Sequence, residues 1–244
     1  MKYRLVVFLI AVLVSNISSA QNSQQLILRA NMKLENKDFL GAINDLTDAI
    51  AIDPNNKYAY VYRGDAKSQS SDLAGAIEDY SKAIEIDPRY AIAYHYRANL
   101  KHNMQDYVSA LQDYNSLIML VPLFAVGYNS RGMTKVKLQD YSGAIADFNK
   151  AIGIDHKFAM AYVNRGNARL DIYDISNAIL DFNQAIVIDP SLADAYYSRG
   201  YSKILQGQRQ GGCVDLEKAK ELGKIETHFL IKEFCKENAP PRRR

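Results

Sequence analysis

The residues best suited to chemistry in this sequence are two cysteines and four histidines. Cys213 and Cys235 are separated by 22 positions, and His228 stands seven before the second. The patterns C-x-x-C, H-E-x-x-H and G-x-S-x-G do not occur, nor does a phosphate-binding loop. His95 and His102 are two helical turns apart, whereas a metal-binding pair usually lies one turn apart. We therefore predict no metal and no cofactor, and a Cys213 nucleophile assisted by His228 is the one enzymatic hypothesis that survives.

These residues belong to a chain that repeats itself. Pro54, Pro88, Pro122, His156 and Pro190 stand at intervals of 34 residues with no insertion between them. A period of this length is typical of helical hairpins that stack and share one core. In each unit we predict helix A over about positions 2 to 15 and helix B over about positions 18 to 31. Counting back from the marker positions gives six units, residues 23–56, 57–90, 91–124, 125–158, 159–192 and 193–226.

Each unit also carries a characteristic residue pattern. In the second unit the pattern consists of Tyr60, Arg63, Gly64, Lys67, Ala76, Tyr80 and Pro88. With this pattern and period, the chain resembles the tetratricopeptide repeat (TPR) family, whose consensus is W-x2-L-G-x2-Y, A-x3-F, P, although Arg and Lys stand where the family usually has Leu and Tyr. The resemblance covers residues 23–226. It implies an all-α, right-handed TPR helical-hairpin solenoid that binds proteins or peptides and is not an enzyme.

Three charged columns run through all six units and are not part of the general family pattern. Position 7 is occupied by Arg29, Arg63, Arg97, Arg131, Arg165 and Arg199. Position 11 is occupied by Lys33, Lys67, Lys101, Lys135, Arg169 and Lys203. Position 23 is occupied by Asp45, Asp79, Asp113, Asp147, Asp181 and Asp215. Either the basic columns bind anions, or each Asp pairs with an Arg across the hairpin. We favour pairing, because a half-made charge pair inside a packed hairpin costs about 3 to 5 kcal/mol.

The resemblance also implies where a partner binds, since helix A lines the concave groove of TPR proteins. The residues predicted to form the groove are Asn31, Tyr58, Asp65, His95, Asn99, Asn103, Asn129, Asn167, Tyr197 and Tyr201. This groove is acidic in sum and should repel anions. Its Asn amides and Tyr rings suit the backbone of an extended peptide or a partner helix. The partner is therefore predicted to be a protein or peptide of unknown identity.

The predicted groove leaves alternatives open. A glycan or another cell-envelope ligand could bind the same Tyr and Asn side chains. The Lys, Asn and Arg clamp by which some TPR proteins hold carboxylates is matched only by scattered Asn residues. The Asn residues at position 9 are either groove contacts or ordinary solvated side chains. If they are contacts, we expect Asn99 and Asn167 to contribute to binding and little to stability.

The two ends of the sequence predict export. Lys2 and Arg4 precede an apolar run over residues 5–14, and a stretch of small residues ends at Ala20, which is the layout of a secretory signal peptide over residues 1–20. The apolar run is too short to span a membrane, which needs roughly 20 residues, so an uncleaved anchor is the weaker alternative. We predict a periplasmic or secreted protein that does not span a membrane, with a disordered basic tail over residues 238–244. The nearly balanced charge predicts no nucleic-acid partner.

The two cysteines lie on either side of the end of the repeat array. Cys213 occupies position 21, where the other units have Ile or Leu, so it belongs to the core and is a poor nucleophile. Gly223 suits a helix stop, and the two cysteines lie 11 residues on either side of Lys224. Equal spacing in an antiparallel hairpin puts both side chains at the same height. We therefore predict a Cys213–Cys235 disulfide that fastens a capping helix over residues 226–237, with two free core thiols as the alternative.

Overall fold

The computed structural model describes residues 21–235 of the chain. Regular secondary structure within this range is entirely α-helical, which confirms the predicted fold class. The signal peptide predicted for residues 1–20 and the basic tail predicted for residues 238–244 lie outside the described residues. None of the helices between residues 21 and 235 has the length and apolar composition needed to cross a membrane.

Thirteen helices occur in the described part of the chain. The first, α1, covers residues 21–35. The others are α2 (Phe39–Ile52), α3 (Lys57–Gln69), α4 (Leu73–Ile86), α5 (Ala91–Asn103), α6 (Tyr107–Leu120), α7 (Ala125–Lys137), α8 (Tyr141–Ile154), α9 (Ala159–Asp171), α10 (Ile175–Ile188), α11 (Ala193–Leu205), α12 (Arg209–Glu221) and α13 (Thr227–Phe234). Odd-numbered helices up to α11 are the A helices, and even-numbered helices are the B helices.

The helices pair into hairpins that form two compact units. Unit 1 ends at Leu120 and contains the hairpins α1–α2, α3–α4 and α5–α6. Unit 2 begins at Val121 and contains the hairpins α7–α8, α9–α10 and α11–α12, followed by α13. Within each unit, a B helix also packs on the A helix of the next hairpin, as α4 does on α5 and α10 on α11. Successive hairpins therefore share a core, as expected for stacked TPR repeats.

The helix boundaries follow from local capping. In the second repeat, Asn56 accepts hydrogen bonds from the backbone N–H groups of Tyr58 and Ala59, so α3 begins one residue earlier than predicted. Ser71 has a left-handed backbone with φ of 72°, which ends helix A. Asp72 then caps α4 by accepting from the N–H of Gly75 at 3.0 Å. The predicted ranges were therefore displaced by one or two residues.

Close helix contact within the hairpins depends on small residues packed against rings. The rings of Phe148 and Phe182 and the side chains of Tyr80 and Tyr114 are almost fully buried. A Cβ atom added at Gly166 would lie 2.5 Å from Cε1 of Phe182, and one added at Gly64 would lie 2.7 Å from Cε1 of Tyr80. Real Cβ atoms do not approach so closely, so these A and B helices pack at a distance that only glycine permits.

The C-terminal helix is fastened to the last hairpin as predicted. A disulfide joins Cys213 on α12 to Cys235 just after α13, with Cα atoms 5.6 Å apart. Gly223 has a φ of 94° and provides the left-handed turn between the two helices. Leu230 and Thr227 bury the inner side of α13. The helix is shorter than the predicted 226–237, and the last two residues of that prediction lie beyond the described range.

Candidate partner-binding surface

Each unit has an inner face formed by its A helices. In unit 1, α3 approaches α5, and in unit 2, α9 approaches both α7 and α11. The corresponding B helices, such as α4 and α6 or α8 and α10, do not contact each other in this way. Because the A helices lie closer together than the B helices, each stack curves toward its A helices. We call the solvent-facing side of the A helices the inner face of unit 1 or unit 2.

The inner face of unit 1 contains six of the residues predicted at the groove. Tyr58 and Asn103 are exposed, with half of the Tyr58 side chain accessible. The other four are partly buried: Asn31, Asp65, His95 and Asn99. The exposed residues present a phenol and an amide, both of which can form hydrogen bonds to a ligand.

Asn99 does more than face solvent. Its side-chain oxygen accepts a hydrogen bond from the hydroxyl of the buried Tyr114 at 2.6 Å. Its amide nitrogen lies 3.1 Å from Nε2 of His95. Partial burial lowers the pKa of His95, which favours the neutral ring that can accept this bond. This hydrogen bond argues against the expectation that Asn99 contributes little to stability, since its loss would leave a buried phenol without this acceptor.

Asp65 is a partly buried carboxylate on the same face. Its side chain accepts a hydrogen bond from the amide of Gln69 at 3.0 Å. Burial raises the pKa of Asp65, and no Lys or Arg in the described part of the chain forms an ion pair with it. The basic residues two positions before and after Asp65 on α3, Arg63 and Lys67, are both bound to Asp79, at 2.7 and 2.9 Å. Asp65 therefore carries a charge that the fold does not neutralise.

Tyrosine side chains surround this part of unit 1. The ring of Tyr96 stacks on the buried ring of Tyr80, with centroids 5.7 Å apart and planes inclined by 14°. Tyr58 and Tyr90 meet edge to face at 5.5 Å. Lys57 lies over both of these rings, at 5.3 and 4.8 Å from their centroids. Its ammonium pairs with Asp87 at 2.5 Å, so this pair of rings already holds a cation.

Unit 2 presents the remaining predicted residues differently. Asn167 is exposed, and Tyr197 and Tyr201 are partly buried. Tyr197 lies beneath the ammonium of Lys224 at 5.6 Å. That ammonium also pairs with Asp194 at 2.7 Å. Tyr197 is therefore partly committed to the contact between α11 and the segment before α13.

Asn129 was predicted at the groove, and the structure contradicts this prediction. Its side chain is buried, with 7% of its surface exposed. Its oxygen accepts a hydrogen bond from the amide of Asn164 at 2.9 Å, which links α7 to α9. Its own amide donates to the sulfur of Met133 at 3.6 Å. Asn129 therefore holds two A helices together and is not available to a ligand.

The charged columns pair across the hairpins, as favoured from the sequence. Arg97 binds Asp113 through two hydrogen bonds, of 2.9 and 2.7 Å, and Lys101 completes a triad at 2.8 Å. The same triad occurs in all six hairpins. Arg97 also donates to the hydroxyl of Ser81 in the preceding repeat at 2.8 Å and lies 5.8 Å from the ring centre of Tyr94. Every cation of the two basic columns in residues 21–235 is thus paired with an Asp, although the side chain of Arg29 in the first repeat is 58% exposed. The columns therefore do not supply the free cations that an anion-binding track would need.

The structure also bears on the two chemical hypotheses drawn from Cys and His, a Cys213 nucleophile and a metal site. Cys213 forms a disulfide, so it does not offer the thiolate that a nucleophile with His228 would need. No group of His, Cys, Asp and Glu side chains in the described range is arranged to hold a metal ion.

The sequence analysis did not single out Tyr62 and Tyr96. Both stand at position 6 of their repeats, which was not among the positions expected to line the groove. Tyr96 is nevertheless 38% exposed. The sequence did contain a signal for them. Position 6 is aromatic only in the second repeat, which contains Asp65, and in the third repeat, which follows it.

Comparison with known proteins supports the same fold. Two family profiles match the chain: one described as TPR repeat over residues 64–105 and one described as tetratricopeptide repeat over residues 125–158. A comparison with curated protein sequences found no match. The two matched segments show that the chain contains TPR repeats, and the stacked hairpins have the TPR fold.

Several solved structures resemble this chain in fold. Pseudomonas aeruginosa pilF has a TM-score of 0.75 at 15% identity, covering 88% of this chain and 99% of its own. YrrB, a TPR protein with an unusual peptide-binding site, has a TM-score of 0.62 at 21% identity, covering 77% of this chain and 97% of its own. MamA from Desulfovibrio magneticus RS-1 has a TM-score of 0.65 at 16% identity, covering 70% of this chain and 97% of its own. At these identities the likeness concerns the fold alone.

Proposed function

We propose that this protein is an interaction scaffold whose inner faces bind an extended peptide or a partner helix. The observation that carries the proposal is that one set of side chains holds the hairpins together while another set remains exposed on the A helices. The Arg, Lys and Asp columns are used inside the hairpins, whereas Tyr58, Tyr96, Asn103 and Asn167 remain exposed on the A helices. Exposed tyrosines and amides supply apolar area and paired hydrogen-bond donors and acceptors, which suits peptide backbone.

Two further observations support this function. The TPR fold is a protein-binding fold, and the related structure of YrrB is described as having a peptide-binding site. Each stack of hairpins also offers an inner face on which a partner can contact side chains from several repeats. An active site is not part of this proposal, because Cys213 is in a disulfide.

We further propose that the protein acts outside the cytoplasm. The supporting observations are the signal-peptide layout of residues 1–20 and the Cys213–Cys235 disulfide. Disulfides form and persist in oxidising compartments such as the periplasm or the extracellular space. Sequencing the N-terminus of the protein from fractionated native cells tests this, and a cytoplasmic protein that retains residues 1–20 would contradict it.

A glycan or other cell-envelope ligand is the second candidate. Exposed tyrosine rings can stack on sugar rings and amides can bind their hydroxyl groups, and Tyr58 and Asn103 lie on one inner face. The two candidates differ in the groups that the inner face would recognise, because a peptide offers a repeating backbone of amides whereas a glycan offers hydroxyl groups.

Parallel binding to a random peptide array and a glycan array separates the two candidates. We expect the oxidised protein to bind a subset of peptides, and Asn103→Ala and Asn167→Ala to weaken this binding with little change in melting temperature, because both residues are exposed. Glu78→Ala, on the exposed side of α4, is the matched control and should bind as the parent does. Selective binding to glycans with no peptide signal would reverse the order of the two candidates.

A further inference from the structure

The inner face of unit 1 contains one carboxylate that the fold leaves without a cation. In the other five repeats the position of Asp65 is occupied by neutral residues: Asn31, Asn99, Met133, Asn167 and Tyr201. Asp65 is partly buried, and its one hydrogen bond in the described structure comes from the neutral amide of Gln69. Burial of an unpaired carboxylate opposes folding, so a residue of this kind is more readily explained by binding than by stability.

Asp65 lies beside an aromatic surface. A Cβ added at Gly64, its neighbour on α3, would touch the ring of Tyr80, and Tyr80 stacks on Tyr96 of α5. Burial is the main cause that raises the pKa of Tyr80 and Tyr96, and the negative charge of Asp65 adds to it. Tyr96 is held on one side by Tyr80 and leaves 38% of its surface exposed. A carboxylate and an exposed ring thus stand together on adjacent A helices.

The same unit shows how such an arrangement holds a cation. Lys57 lies over the rings of Tyr58 and Tyr90 and pairs with the carboxylate of Asp87. Asp65 with Tyr96 and Tyr80 repeats two of these elements, a carboxylate and tyrosine rings, but lacks the cation. The nearby Arg63 cannot supply one without leaving Asp79.

We propose that Asp65 and Tyr96 form a subsite for an arginine side chain of a bound peptide. This proposal rests on the proposed scaffold function. The planar guanidinium can donate hydrogen bonds to the carboxylate while it stacks on the exposed part of the Tyr96 ring. A lysine ammonium satisfies the charge but not the stacking, so it binds more weakly. The ligand is an extended protein segment with an arginine at this place, because the subsite occupies one part of a longer face.

The proposal can be tested with small probes followed by amide NMR. The probe is acetyl-Ala-Arg-Ala-amide, and its control is the same tripeptide with citrulline, which keeps the shape of arginine and lacks its charge. We expect the arginine probe to bind with a dissociation constant on the order of 1 mM and to shift the amide signals of Asp65 and Tyr96. The citrulline probe should bind at least about fivefold more weakly, and the lysine analogue should fall between them.

Variants assign the effect to the subsite. Asp65→Asn keeps the shape of the side chain and should weaken binding of the arginine probe about five- to tenfold, and Tyr96→Ala should do so through the loss of the ring. Asp171→Asn, which alters another A-helix carboxylate whose pKa is raised by burial, should leave binding unchanged. Melting curves of each variant show whether it is folded, and Tyr96→Ala serves if Asp65→Asn does not fold.

Three results would overturn the proposal. They are equal binding of the arginine and citrulline probes, an unchanged affinity in both Asp65→Asn and Tyr96→Ala, and the absence of signal shifts at Asp65 and Tyr96 at saturating probe. The outcome is distinguishable from failure of the scaffold function. A protein that binds longer peptides on its inner face with no dependence on arginine or Asp65 keeps that function and lacks this subsite.

Discussion

Arg97 and Asp113 are joined across the third hairpin by two hydrogen bonds of 2.9 and 2.7 Å, and Asp113 is buried, with 4% of its surface exposed. The arginine also reaches Ser81 of the preceding repeat. One side chain thus ties helix A to its own helix B and to the previous hairpin. The pairing of this arginine with the Asp of its own hairpin recurs in all six repeats, which explains why the basic columns belong to the fold and are not a binding surface.

Removing the acid from one triad should destabilise the fold. Asp113→Ala would leave Arg97 and Lys101 mostly buried without their counter-charge, and we expect a loss of about 2 to 4 kcal/mol in the free energy of unfolding. Urea denaturation measures this loss. Glu85→Ala, which removes an exposed ion pair with Lys82, is the control and should cost less than about 0.5 kcal/mol. An unchanged stability of Asp113→Ala together with lost partner binding would return the columns to a recognition role.

Two glycines in unit 2 should respond to alanine in opposite directions. Gly166 faces the ring of Phe182, which a methyl group would meet at 2.5 Å, so Gly166→Ala should cost about 1 to 3 kcal/mol. Gly153 on α8 has no atom within 4 Å of the added carbon, so Gly153→Ala should gain about 0.5 kcal/mol from helix propensity. Thermal unfolding of the two variants measures both signs. Equal tolerance at the two positions would mean that the helices do not approach as described.

The disulfide should stabilise the C-terminal end of unit 2. For a loop of this length, loop-closure entropy predicts that Cys213→Ser with Cys235→Ser lowers stability by about 3 kcal/mol. Hydrogen exchange should locate the main increase in exchange rate in α13, which the bond fastens to α12. Alkylation of protein from native cells provides the companion measurement. Two alkylated cysteines in the absence of reductant would show that the bond does not form there.

Asp65 and Asp87 should affect stability in opposite ways. Burial raises the pKa of Asp65 in the folded state, so its contribution is favourable at low pH and is lost as pH rises through that raised pKa. Asp65→Asn should therefore raise the melting temperature at pH 7, by about 1 to 3 °C, with a smaller difference from the parent in acid. Lys57 lowers the pKa of Asp87, so Asp87→Asn should lower the melting temperature at pH 7 and lose its effect as pH falls. A destabilised Asp65→Asn at pH 7 would indicate an internal structural role.

Much of the fold and part of the site could be predicted from the sequence, because six aligned repeats show which residue types recur at each helix position even where a single repeat would not. Six copies of the same spacing placed Arg97 opposite Asp113 and put Cys213 at the height of Cys235. Exposure within the groove could not be predicted in this way. Asn129 is buried because Asn164 of the next repeat reaches back to its oxygen, a contact between neighbours that a single aligned position does not contain.

The acidic and aromatic subsite was missed for a related reason. A groove template assigns the same positions in every repeat, whereas the proposed subsite depends on Tyr96, at a position that is aromatic in only two repeats. Asp65 was recognised as acidic, but its lack of a cation follows from geometry, since Arg63 and Lys67 are close in sequence and both turn to Asp79. The contacts between helix A and helix B therefore decide which charged side chains of a hairpin are neutralised.

The central claim is that the inner faces bind a protein partner, and site-specific photocrosslinking in native cells tests it most directly. A photoreactive benzoylphenylalanine is placed at Tyr58 or Asn167 on the A helices, and at Glu78 or Lys150 on the exposed sides of α4 and α8 as controls. Mass spectrometry then identifies the crosslinked molecule and its chemical class. The account predicts protein crosslinks from Tyr58 and Asn167 and none above background from Glu78 and Lys150. Protein crosslinks confined to the B-helix positions, or equally strong at all four, would contradict it.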